Sequence, residues 1–295
     1  MGFLANVDST ILKLNLDHGF KVDAMSLDEA FDFISVIEGL PRVNLSLELD
    51  RIRCLNSEEE KLYCIKKSFE SDESGIKWTN AMPKFEDKYV EGYLIPIFKL
   101  MRLFKEGGIF MPKRYYWGAD NDTPKPFIRM HTTLYIPRGP KYIIKDSEIS
   151  DLNHFIQNTK LPFTELSLQL AFEHFDLSYH TDNVNLSFLS LMISLETLFN
   201  PADSELKYRI SRNTAVLLGM GRTSAKDIFE DVKRLYNARS KLVHTGKPEI
   251  SQENQLQLRQ YVRESIKKID KIGKTKEELL DILNSCGFGE RLRKK

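Results

Sequence analysis

Residues 185–199, Asn-Leu-Ser-Phe-Leu-Ser-Leu-Met-Ile-Ser-Leu-Glu-Thr-Leu-Phe, are apolar around almost the whole circumference of a helix. The run is shorter than the roughly 20 residues that span a bilayer. It is also too apolar all round to lie on a protein surface, so other elements must surround it. The chain supplies them. From residue 149 onward every segment carries a helical period and ends at a local stop: Asn200-Pro201, Gly219-Met-Gly221, Gly246 with Pro248, and Cys286-Gly287. Short connections favour antiparallel neighbours, which predicts an all-helical bundle over 149–295.

The first 148 residues read as a mixed α+β domain, giving an α+β chain overall. Residues 10–16 alternate apolar and polar, the pattern of a half-buried strand. Ser26 with Glu29 forms a capping box for an amphipathic helix. Residues 47–70 hold helix-compatible stretches without a clean period, and 86–106 predicts a helix stopped by Gly107-Gly108. Pro112 to Pro126 reads as turn-rich, with Asp120, Asn121 and Asp122 in a plain turn that lacks the ligand ladder of a calcium loop. Residues 127–136 and 142–144 predict a strand pair. In the second half Asp203 or Ser204 caps a helix over 205–218. Ser224 with Asp227 opens a long helix to His244, 251–269 forms one more, and Thr275 with Glu278 boxes the last.

With 41% hydrophobic and 29% charged residues, 295 residues suffice for two ordinary soluble domains. Cys54, Cys64 and Cys286 are scattered thiols in no zinc-like spacing. No signal segment or spanning run is evident, so the expectation is a cytoplasmic chain with no membrane association and no metal or other cofactor. The net charge of +1 conceals an asymmetry. Residues 201–295 carry 21 Lys and Arg against 13 Asp and Glu, a balance of +8, which leaves −7 for residues 1–200. A basic half suits a polyanion partner; it equally suits helices with solvated Lys/Arg faces.

The chemistry concentrates in Leu235-Tyr-Asn-Ala-Arg-Ser-Lys-Leu-Val-His-Thr-Gly246. Arg239 offers a planar fork that holds a phosphate by two hydrogen bonds and stays charged at any working pH. His244 can exchange a proton near neutrality. Asn237 and Ser240 are short polar groups able to position a substrate. Positions five apart on a regular helix diverge by about 140°. The two therefore converge if the last turn frays at Gly246, or if two copies face each other across a two-fold axis. The plain alternative is a helix end at which Arg and His simply complement the dipole.

The apolar helix ending Leu195-Glu-Thr-Leu-Phe199, then Glu205 to Ala215 with Leu217-Leu218, then Phe229, Leu235-Tyr236 and Arg239 to His244 follow one another in an order that resembles the HEPN superfamily. These are the higher eukaryotes and prokaryotes nucleotide-binding domains. The resemblance covers roughly residues 165–270 and is closest to the Apea-like branch. It implies a HEPN-like bundle that homodimerises and brings two Arg-x4-His motifs into one cleft. It also implies a metal-independent endoribonuclease in which the RNA 2′-hydroxyl attacks its own phosphate, leaving cyclic phosphate and 5′-hydroxyl ends. Arg239 maps to the phosphate-holding arginine, and His244 to the histidine that serves as acid/base or positions the 2′-hydroxyl. The biological setting implied is prokaryotic antiphage or toxin-type defence, with a regulatory or antitoxin partner. Ser240 stands where active members commonly carry Asn, Asp or His. The rival expectation is accordingly a catalytically inactive dimer that binds RNA or nucleotide, or serves in assembly.

Glu196, a charge within the apolar helix, must be paired or solvated; Arg209, Arg212 and Arg239 are its candidate partners, and it becomes a candidate for orienting Arg239. Arg209, Arg212 and Lys241 are candidate contacts to RNA phosphates. The first domain is expected to sense a trigger or restrain the nuclease.

Overall fold

The computed structural model describes residues 1–38, 61–68, 86–120, 123–132, 139–181, 183–200, 205–246 and 250–288. They form two compact units, Met1–Thr159 and Lys160–Lys295.

The first unit is built on an antiparallel sheet of strands β1 (Gly2–Ala5), β2 (Lys21–Ser26), β3 (Lys61–Lys66), β4 (Phe110–Asp120) and β5 (Thr123–Thr132), in the order β2-β3-β1-β4-β5. β1 is central and wholly buried. Its residues alternate between two cores, as a period of two requires. Phe3, with Leu62, Cys64 and Tyr115, faces Ala30 and Ile34 of helix α1 (Leu27–Glu38). Leu4, with Tyr63 and Ile65, faces Ile97, Phe98 and Met101 of helix α2 (Ile95–Phe104), which follows a π-helical segment Glu86–Leu94. The α1 capping box forms as read: the Ser26 and Glu29 amides each donate to the other's side chain.

Several local readings give way to long-range pairing. The 10–16 segment is not a strand; Ser9–Lys13 is a 3-10 turn, because the Asp8 carboxylate caps it by accepting from the Thr10 amide at 3.0 Å. Residues 61–66, inside a stretch read as helix-compatible, are β3 and pair on both edges. The turn-rich 112–126 segment is mostly hairpin. Pro112 lies at the β1–β4 bulge, and Pro124 and Pro126 lie on the edge strand β5, the places where a missing N–H is tolerated. Asn121 and Asp122 lie outside the described residues. β5 pairs with β4, whereas Tyr142 makes an isolated parallel bridge to Val7, so among the described residues 127–132 and 142–144 do not pair; residues 133–136 lie outside the described residues. The boundary also moves. Helix α3 (Ile149–Asn158) packs Leu152 into the first unit's core and Phe155 against Phe104 at 5.7 Å, so the first unit ends at Thr159 rather than at 148.

The second unit is entirely helical among its described residues: α4 (Leu166–Leu177), α5 (Val184–Phe199), α6 (Leu206–Leu218), α7 (Arg222–Thr245), α8 (Gln252–Ile272) and α9 (Lys276–Ser285). α5 is the central apolar helix, and its three polar buried positions have a use. Ser187, Ser190 and Ser194 donate to the carbonyls of Ser178, His174 and Ala171 at 2.6, 2.9 and 2.7 Å, binding α5 to α4. At the corner after α4, the fully buried Arg259 of α8 donates to Ser178 and to the Ser187 hydroxyl and lies 4.2 Å from the Tyr179 ring centroid. Among the described residues no helix is long and apolar enough to cross a membrane.

Candidate functional site

The motif helix α7 is held at its start, along its length and at its end. Gly219 begins the turn from α6, and a side chain there would collide with Ala225 and the Ala215 carbonyl. α7 starts at Arg222, with Gly221 as its cap, slightly earlier than Ser224 predicts, because that close turn leaves no slack. Along its length, Asp231 accepts from Tyr261 and Gln257 of α8 at 2.7 and 2.8 Å. Arg234 donates to Asn254 and Gln257 at 2.9 and 2.7 Å. Burial and this acidic partner together push the Tyr261 phenol far above its usual range. At the end, Gly246 adopts φ 65° and its amide closes on the Leu242 carbonyl. This is the left-handed stop that glycine supplies at least cost.

That firm ending settles one geometric question. His244 lies within regular helix, not on a frayed turn. Arg239 and His244 of one chain therefore diverge by the full helical phase of about 140°. His244 is exposed, while Arg239 is half-buried.

Arg239 sits between α5 and its own helix. Its guanidinium approaches the Glu196 carboxylate at 3.6 Å and lies 5.8 Å from the Tyr236 ring centroid. Burial raises the Glu196 carboxyl above its usual value, opposed by the smaller pull of Arg239. Tyr236 is likewise raised, by burial first and by Glu196 second. One turn from this contact lie two exposed apolar side chains, Ile193 on α5 and Val243 on α7, exposed by 40% and 51%.

The remaining predicted residues divide. Asn237 is exposed and accepts a hydrogen bond from Lys207 of α6 at 3.3 Å, which places a second cation beside the motif. Ser240 is half-buried and Lys241 exposed on α7. Arg209 lies 4.0 Å from Glu205, with its Nε shielded from water and without a hydrogen-bond partner among the described residues. Arg212 is committed elsewhere: it donates to the carbonyls of Leu283, Asn284 and Cys286 at 2.9, 3.4 and 2.7 Å, capping the end of α9. The sequence reading missed Tyr236 as a site residue, although its position three before Arg239 puts the two on one helical face.

The described residues contain no cluster of three or more His, Cys, Asp or Glu side chains placed to hold a metal ion. Comparison with known proteins returns no matching family model, no matching curated protein and no matching solved structure.

Proposed function

We propose that this chain is a metal-independent endoribonuclease of HEPN type, acting as a homodimer in which Arg239 and His244 serve one phosphate site. The observation that carries this reading is the placing of Arg239. Its guanidinium is half-buried on a regular helix and backed by Glu196 and Tyr236. A fixed fork that stays charged is what stabilises a phosphoryl group as charge builds on it. His244 is the group on the same helix suited to move a proton to or from a ribose hydroxyl. The phase of α7 keeps it from Arg239 within one chain, so the site is completed by the second copy. Leu170 and Leu177 of α4, Leu186 and Ile193 of α5, and Val243 of α7 are exposed apolar side chains available for that association. The proposed setting is prokaryotic defence, with the first unit as sensor or restraint.

The test is cleavage of bulk RNA in EDTA by the full chain and by His244→Ala. A loss of roughly a hundredfold or more is expected on removing a proton-transfer group, with cyclic phosphate and 5′-hydroxyl ends in the wild-type products. Equal cleavage by both chains, or none by either, ends the nuclease reading. The second reading, an inactive RNA- or nucleotide-binding dimer, draws on Ser240 following Arg239 and on the divergence of Arg239 and His244. It predicts binding without turnover and indifference to His244→Ala.

A further inference from the structure

Among the described residues one anion approaches the Arg239 guanidinium, the Glu196 carboxylate at 3.6 Å. The contact is incomplete. At that length it is an ion pair without a hydrogen bond of good geometry. The approaching oxygen, Oε1, is shielded from water and has no hydrogen-bond partner among the described residues. That oxygen has lost hydration without recovering it from the fork it faces, while the carboxylate as a whole stays partly exposed. Burial acts on Glu196 more strongly than Arg239 does, so the ionised pair is poorly matched. The ionisable groups acting on Glu196 are Arg239 and Tyr236, both on α7; among the described residues none from α4, α6, α8 or α9 lies at ion-pair distance. A phosphodiester, by contrast, presents two oxygens at the spacing of the guanidinium fork.

We propose that Glu196 is an internal stand-in for phosphate, which holds Arg239 in place and is displaced from it when nucleic acid binds. This rests on reading Arg239 as the phosphate-holding group. Glu196 is then a positioning residue with a competing effect: its carboxylate sets the threshold an incoming anion must exceed. A neutral or weakly charged ligand leaves the pair closed, and a polyanion opens it.

The experiment measures equilibrium binding of a short labelled 2′-O-methyl oligoribonucleotide of mixed sequence, which cannot be cut by 2′-hydroxyl attack, to the full chain. Glu196→Gln is expected to tighten binding about fivefold, the scale of one half-buried ion pair that no longer has to be broken. Glu196→Asp, which keeps the charge but withdraws it by one methylene, is expected to fall between the two. In an Arg239→Ala background Glu196→Gln is expected to have no effect. The proposal is overturned if both Glu196 variants bind more weakly than or equally to the parent chain, which would make the carboxylate an aid to phosphate binding or a bystander. It is overturned as well if the gain persists without Arg239, which would reduce it to a general loss of negative charge. Absence of His244-dependent cleavage bears on the nuclease reading alone, because this comparison needs no turnover.

Discussion

Replacing Arg212 by alanine separates a structural cation from a phosphate-binding one. Its guanidinium ties α6 to the last turn of α9 through three backbone carbonyls, two of them at 2.9 and 2.7 Å and one at 3.4 Å. The first two have the geometry of strong bonds, and the third contributes little. Hydrogen bonds from a charged donor contribute about 1.5–3 kcal/mol each when buried, and less here because the group is partly exposed. About 1 kcal/mol for each of the two good bonds gives a loss of about 2 kcal/mol in the local stability of α9, some of it from charge facing the helix C-terminus. That corresponds to a roughly thirtyfold fall in amide protection over residues 276–286, read by hydrogen–deuterium exchange. The thermal transition of the whole chain should move less, since α9 is terminal. Arg212→Lys should recover only part of the protection, because an ammonium cannot bridge separate carbonyls as a planar fork does. The reasoning is refuted if Arg212→Ala leaves exchange over α9 unchanged while weakening oligonucleotide binding, for that would restore Arg212 to the phosphate-contact role.

The pH dependence of stability offers a second prediction. The Glu196 carboxyl is raised above its ordinary value of 4.5, so ionising it destabilises the folded state: the penalty is absent below 4.5 and complete once the pH has risen through the raised value. Glu196→Gln should therefore raise the melting temperature at pH 7 to 8, and the difference should vanish as the pH falls to the ordinary carboxylate range; a variant destabilised at both ends would sink this account. Arg259 is the third case: it is 1% exposed and donates to Ser178 and Ser187. Arg259→Ala should cost about 3–5 kcal/mol, because it leaves buried acceptors without their donor and opens a cavity, whereas Arg259→Met should recover part of that by refilling the space. Urea unfolding of the three chains measures both, and equal stability of all three would show the network to be dispensable.

What the sequence disclosed was governed by locality. The Ser26–Glu29 and Thr275–Glu278 boxes and the Gly246 stop all form between residues a few positions apart, and each is found where it was read. β3 was not legible because its environment comes from β1 and β2, its partners being Gly2–Leu4 and Lys21–Ser26. The same reason hid Arg212, whose role depends on where α9 ends. The buried serines of α5 were legible in principle: Ser187, Ser190 and Ser194 fall at helical spacing within an otherwise apolar run, where polar groups need partners. Glu196 was read as a charge in need of a partner, with Arg209, Arg212 and Arg239 as its candidates, and Arg239 is the one it approaches. What could not be read was how loosely they meet.

The glycine stop at the end of α7 turns the spacing between Arg239 and His244 into a phase angle. Since the helix stays regular through Thr245 and then halts at φ 65°, no local give can alter that angle. Substitutions leave it untouched, and each inserted or deleted residue turns it by about 100°. Removing one residue brings the two side chains to within about 40° of each other, one turn apart on the same face, and adding two brings them to about 20° at twice that separation. The interval is thus a dial with few settings: at its present one a single helix points its arginine and its histidine in different directions, and whatever uses both from one helix must touch it from two sides.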